Sequence, residues 1–461
     1  MLDLLSNKIL GRSFYLLKVV FCLHISNLFL TFALLKQSIN NLNIYRIMIT
    51  KEQFEELIDE KLIEKDGKLV YDGNLMLYGR KDIKELPDNL KVLGFLILNN
   101  SGITKLPKGL EVEYWINISG TNIEELPEDT KFGLSLYINE MKKPFSFPKV
   151  LKVNGRFECR FTTIKRMPEE LHVKEECVFS VSTFDKLPKV MEVSNTLNLY
   201  ETPTTELSEG LKEVYGYLTI YGTNISKLND NLVIYSDLFL GRIPIKELSK
   251  GLIVGRILDL SNTNLNDYSN LHKVCPKFIV TKEKYEEIKD KLAKHSKKET
   301  CFNNEISVTF EPNYKGAYLF ENENGKYINA DYIFSKIVEQ KGNVYHIQLG
   351  KDEGITYLIT DGEGRWAHGR TLETAKADLL YKTTNRDESD YENLTLNSEL
   401  SFEDAITCYR VITGACSFGT RDFVENRLGK NRKDKYTIKE IINLTEGEYG
   451  NRIFREFFCK D

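Results

Sequence analysis

The sequence predicts an α/β repeat solenoid followed by a small α+β domain. Three observations carry this. A Leu-Pro step returns every 20 or 21 residues, at Leu86-Pro87, Leu106-Pro107, Leu126-Pro127, Phe147-Pro148, Met167-Pro168 and Leu187-Pro188, and continues without Pro at Leu207, Leu228, Leu248 and Tyr268. Apolar residues two apart between the steps, as at Leu96 and Leu98, have strand periodicity. The register is lost after about residue 280, where strand-like alternation and then capped helical segments follow. A period of this length marks stacked units, each burying its apolar face only against its neighbours.

The chain opens with residues 1–47, which hold one acidic residue, Asp3, in a sequence that is 28% charged. Phe14 to Leu35 is largely apolar. It has the ~20 residues of a membrane anchor, with Lys8 and Arg12 on the cytoplasmic side, but Lys18, His24 and Asn27 interrupt it. A cleaved signal would need a small-residue site that is missing, and a lipoprotein reading of Cys22 meets the bulky Phe21. The third reading takes Met48 as the functional start and the chain as cytoplasmic. Residues 48–72 then form a cap and lead-in, with a helix from Thr50 to Ile63 opened by a Thr50/Gln53 capping box. It would cover the N-terminal end of the solenoid.

Residues 73–280 carry about ten units. In the unit from Leu90 to Leu110 the apolar skeleton is Leu96, Leu98, Ile103, Leu106 and Leu110, and Pro107 fixes the bend of the return. This resembles the leucine-rich repeat in its short bacterial form with a trailing Leu-Pro. The resemblance implies one parallel sheet along an inner face, with strands ~4.8 Å apart, and short irregular returns. Where that family buries an Asn, this chain has Ser101, Thr121, Thr162, Ser182, Thr202, Thr223 and Thr263, with Ile243 interrupting. Hydroxyls can bond turn backbone as the Asn does, so a Ser/Thr ladder is expected. The register turns Tyr78, Phe95, Ile97, Asn99, Trp115, Asn117, Tyr137, Asn139, Arg160, Asn198, Tyr200, Tyr217, Tyr221 and Phe239 outward. Aromatic residues and Arg dominate binding hot spots, so this face is the expected surface for a protein partner. The competing expectation is that these rings only pack on one another.

Residues 281–304 read as a Lys-rich helical linker with Thr281 as N-cap. Its acidic residues, and a net charge of -4, argue against nucleic-acid binding. Residues 305–461 read as an α+β domain: strands around 306–310, 344–349 and 356–359, then helices starting near Thr371, Ser401, Thr420, Thr437 and Asn451. The segments YLITDGEGRWAHGRTLETAKADL and YRVITGACSFGTRDFVEN resemble an uncharacterised domain of gut bacteria and their phages. The first is also faintly similar to the small hairpin-helix domains of antitoxins. Cys416 between two helices, with His368 as base and Asp361 or Glu363 as orienting acid, is the one enzymatic constellation available. The bland alternative is that Cys416 and His368 are packing residues. Bacterial effectors that join this repeat type to a ligase domain use a Cys-x-Asp motif, here matched only by Cys459 and Asp461 at the chain end. That activity is not carried over. The eight cysteines show no metal-ligand spacing, and Cys159 and Cys177 fall at inward strand positions. The expectation is therefore a non-enzymatic binding scaffold without cofactor. A thiol enzyme targeted by the solenoid, and an envelope-anchored adhesin if residues 14–35 span a membrane, are the alternatives.

Overall fold

The computed structural model describes residues 49–292, 296–351, 353–383 and 386–459. The apolar stretch 14–35 and the choice between Met1 and Met48 lie outside the described residues. Each coil of the repeat lays down two short strands joined by a tight corner. In the second unit these are Leu90–Val92 and Leu96–Ile97. The second strands assemble into a sheet of eleven parallel strands running in coil order from Leu75–Met76 to Lys277–Thr281. Its register places Leu75, Leu96, Ile116, Leu136, Phe157, Cys177, Leu197, Leu218, Leu238, Leu258 and Phe278 in one inward column. The first strands form three shorter parallel runs on a second wall, the central one being Val150–Val153, Glu170–Val173 and Val190–Val193.

The architecture is thus a mostly β solenoid, which corrects the expected α/β class and irregular returns. The physical reason is length. A repeat of 20 residues that spends two strands and two corners has no room for the 10–12 residues of a helical crossover. Coils also stack too closely at the corners for many side chains: a Cβ on Gly133 would lie 1.9 Å from the Glu113 carbonyl oxygen.

The core holds the skeleton read from the sequence. Leu96, Leu98, Ile103 and Leu110 are fully buried. The Ser/Thr ladder is present: Thr121 donates to Ile118 O (2.7 Å), Ser182 to Cys159 O (2.8 Å), Thr202 to Leu199 O (2.9 Å), Thr223 to Ile220 O (2.8 Å) and Thr263 to Leu260 O (2.7 Å). Ile243 sits buried at the interrupted rung. The irregular middle units compensate with larger rings. Phe145, Phe147, Phe157 and Phe179 run edge to face through the core, with Phe184 tilted on Phe179, at centroid distances of 5.1–5.6 Å.

Both ends are closed. The N-terminal helix Lys51–Ile58 has the expected Thr50/Gln53 capping box, and its Phe54 is fully buried in the solenoid core. It stops before Ile63 because Asp59 turns left-handed (φ 57°) and Leu62 N–H bonds back to the Glu55 carboxylate (2.7 Å). At the other end, helix Lys282–Leu292 buries Tyr285, Ile288 and Leu292 in the same core. The hairpin Ser296–Phe302/Glu305–Phe310 adds antiparallel to Lys277–Thr281. The segment expected as a linker, together with the strand expected to open the C-terminal domain, is therefore the solenoid's closing cap. Lys284 pairs with Glu287 (2.5 Å) and Lys289 with Glu286 (2.6 Å), so its lysines are answered by its own acids.

Beyond residue 310 comes a six-stranded antiparallel sheet, Tyr318–Asn322 to Trp366–Gly369 in sequential order, followed by helices. Helix Leu372–Thr383 packs on its last two strands. Helices Phe402–Thr413, Ile438–Leu444 and Asn451–Phe458 share a small core around Cys408, Ile438 and Phe454. The caps at Ser401 and Thr437 form as read from the sequence. This domain is fastened to the solenoid's second wall: Val233, Tyr235 and Ile253 share one apolar cluster with Phe320, Tyr327 and Phe334. Around that cluster Tyr327 OH donates to Glu213 (2.9 Å) and Asn329 to Gly255 O (2.5 Å), and Lys351 pairs with Glu192 (2.8 Å).

Candidate functional site

Inward Leu96 and Leu98 force Phe95, Ile97 and Asn99 to the other side of the strand. Repetition in register turns those three positions into three columns up the open face of the long sheet. In the N-terminal part, Phe95 stacks on Trp115 (centroids 4.4 Å, 11°), and Trp115 meets Tyr137 edge-on (5.8 Å). Tyr78 continues the surface and is 65% exposed. Met76, in the same register and 64% exposed, extends this apolar patch. Met76 is not among the outward residues expected from the sequence, although its place two residues before Tyr78 puts it on the same side of the strand.

The middle of the face is ionic. Arg156 pairs with Glu158 (2.6 Å) and Glu176 (2.5 Å), and Arg160 with Glu158 (3.2 Å). Burial opposes the charge on Arg156, but Glu176 and Glu158 overcome it and raise its pKa. Asn139 is drawn into this network, donating to Glu158 (3.0 Å) and accepting the Arg160 backbone N–H (2.8 Å). Asn117 and Asn198 also spend their carbonyls locally, on the N–H groups of Ser119 (3.0 Å) and Tyr200 (3.0 Å). The amides read as outward contacts thus serve largely to fix the turn after each strand. Asn99 is half-buried.

Toward the C-terminal end the aromatics return. Tyr200 stacks on Tyr221 (5.4 Å, 11°), with the Arg242 guanidinium 5.4 Å from the Tyr221 ring. Tyr217 lies edge-on to Phe239 (6.1 Å) and donates to Glu176 (3.3 Å). Burial, then Glu176, raises the Tyr217 pKa. The structure therefore brings the predicted face residues onto one side of one sheet. Within that side it sorts them into two aromatic groups around an ionic centre.

The Cys416 thiol lies against the His368 backbone, but no hydrogen bond joins it to the imidazole. His368 is fully buried and stacked on Phe418 (5.8 Å), and neither ring nitrogen has a hydrogen-bond partner. Burial, then the Lys382 charge, lowers its pKa to about 3. Cys416 is buried as the N-cap of the short helix Ser417–Asp422, its Sγ accepting the Gly419 N–H (3.2 Å). Burial raises its pKa, with Lys382 working against the rise. Asp361 accepts the backbone N–H groups of Glu363 (2.8 Å) and Arg365 (3.1 Å) and pairs with the Arg365 guanidinium (3.3 Å), so it does not orient the imidazole. Among the described residues no group of His, Cys, Asp and Glu could hold a metal ion, and no helix is long and apolar enough to cross a membrane. No family model matches the chain, and neither curated proteins nor solved structures gave a match.

Proposed function

We propose that this chain is a non-enzymatic protein-binding scaffold of the leucine-rich-repeat type, which captures a protein partner on the open face of its long sheet. The C-terminal domain then acts as a second interaction module held at a fixed place on the solenoid. The observation that supports this reading is the aromatic surface from Met76 and Tyr78 through Phe95, Trp115 and Tyr137, with its counterpart at Tyr200, Tyr217, Tyr221 and Phe239. The rings do pack on one another, as the bland expectation had it. Tyr78 is nonetheless 65% exposed, and Tyr200, stacked on Tyr221, is 38% exposed. Aromatic side chains and Arg are enriched at interface hot spots, and contiguous exposed apolar surface marks interaction sites.

The test is capture from the native cell by the full chain and by two face variants, Trp115→Ala/Tyr137→Ala and Tyr200→Ala/Tyr221→Ala. A protein retained by the wild type and lost by at least one variant of unchanged circular dichroism supports the reading. Equal capture by all three removes it.

A further inference from the structure

A cleft of about 650 Å³ lies where the corner of the solenoid, the C-terminal sheet and the helical segment meet. Pockets of this size at domain junctions are the usual place for a ligand. It is distinct from the proposed partner surface, sharing only Tyr217 with the face residues named above. Its lining is rich in rings: Tyr215, Tyr217 and Tyr235 from the solenoid, and Tyr332, Tyr409 and Tyr449 from the C-terminal domain. Tyr215 donates its hydroxyl to Glu213 (2.6 Å), Tyr217 to Glu176 (3.3 Å) and Tyr409 to the Tyr449 carbonyl (2.6 Å), so these rings have chiefly π-surface left to offer. The charged side chains of the lining are already engaged. Lys382 pairs with Asp331, Arg256 with Asp237 (3.1 Å) and Arg427 with Glu448 (3.4 Å), the Arg370 charge acts on Glu353, and Asp422 is engaged as well. A charged ligand would have to break into one of these pairs or sit beside them unmatched, whereas a neutral one would not.

One lining residue sits in a backbone conformation that its side chain disfavours. Strands Gly325–Ala330 and Ile333–Lys341 pair as far as Ala330 and Ile333, which leaves Asp331-Tyr332 as a two-residue turn. Both residues are left-handed, at φ 51° and 66°. Hairpin turns of this type favour Asn or Asp followed by Gly, because both central residues need φ > 0. Asp331 fits, and its pair with Lys382 anchors the turn. A bulky Tyr332 in the Gly place is strained. It is 57% exposed, so little core packing offsets the strain. What the strain achieves is a phenol ring in the lining of the cleft, where Gly would leave none. Backbone strain of this kind clusters at ligand clamps.

We propose that this cleft binds an uncharged aromatic ring system, held among the tyrosines with the Tyr332 ring as its clamp. A free small molecule and a Trp side chain of a polypeptide present the same chemistry. The experiment is calorimetric titration of the full chain with 2-naphthol, with its saturated counterpart decahydro-2-naphthol, with 2-naphthoate, and with a short neutral peptide carrying one Trp or Ala in its place. Saturable binding of 2-naphthol is expected, at least about fivefold tighter than either decahydro-2-naphthol or 2-naphthoate. Tyr332→Gly should weaken it by at least about fivefold, while Tyr332→Phe, which keeps the ring, should retain it. Because Gly relieves the turn, the urea midpoint of Tyr332→Gly should be no lower than that of the wild type, so lost binding is not lost folding. Trp115→Ala/Tyr137→Ala should bind 2-naphthol as the wild type does. Tighter binding of the Trp peptide than of 2-naphthol, lost on Trp→Ala, would identify a polypeptide as the source; the reverse order would identify a free molecule. Equal binding of decahydro-2-naphthol or 2-naphthoate, no saturation by 2-naphthol or the Trp peptide, undiminished binding in Tyr332→Gly, or a lowered midpoint in that variant would overturn the proposal.

Discussion

Single positions show how strongly the coil constrains its residues. One residue per turn, just past the long-sheet strand, is left-handed, including Asn100 (φ 57°), Gly120 (67°), Phe161 (51°), Val181 (55°) and Asn262 (61°). Asn and Gly tolerate this conformation, whereas a β-branched side chain does not. Val181→Gly should therefore stabilise the protein by about 1 kcal/mol despite the looser unfolded chain, read as a raised urea midpoint. The ladder works in the opposite sense. Thr121→Val keeps the shape but leaves the Ile118 carbonyl without its donor, which should cost about 1–3 kcal/mol by urea denaturation. Glu440 gives a pH signature. Lys433 and the Thr437 N–H lower its pKa from 4.5 to about 2, so its contribution is present above pH 4.5 and is lost as pH falls toward 2. Wild type and Glu440→Gln should differ in urea midpoint at pH 5 and converge near pH 2. The ladder was legible in the sequence because its hydroxyls recur at a strict period. The left-handed position was not, because its occupants share no chemistry.

Among the elements, the long sheet was legible and the second wall was not. Its strands, such as Leu90–Val92 and Glu111–Val112, are no shorter than Leu96–Ile97 in the long sheet, but they lie in the return after the Leu-Pro step, which the family resemblance implies to be irregular. The caps of helices Lys51–Ile58, Phe402–Thr413 and Ile438–Leu444 were readable because capping is local chemistry. The docking of the C-terminal sheet depends on contacts about 100 residues apart, such as Tyr327 with Glu213 and Phe334 with Tyr235, which no local pattern announces. Phe334 is the centre of that junction, at 5.0 Å from the Tyr235 ring and 5.6 Å from Tyr327. Phe334→Ala should cost about 3–5 kcal/mol and free the C-terminal domain. Hydrogen exchange should then accelerate in Val233–Ile234 and Ile253–Val254 while leaving Leu96–Ile97 protected.

At the scale of the whole molecule, a capped solenoid presents one sheet face to solvent and has a second domain fixed on its other wall. The outward columns of that face were readable because inward and outward positions alternate strictly, so each buried Leu assigns its neighbours. The ionic centre at Arg156, Glu158 and Glu176 was missed because charged residues are expected on any exposed surface, and only their mutual distances single them out. Partner capture by the face is the central claim, and site-specific photo-crosslinking tests it most directly. A benzophenone side chain in place of Tyr78, on the open face, is compared with one in place of Lys152, exposed on the second wall. The expected result is a discrete crosslinked protein from Tyr78, absent from Lys152 and competed away by unlabelled wild type. Crosslinks from Lys152 alone, or from neither position, would contradict the assignment of this face.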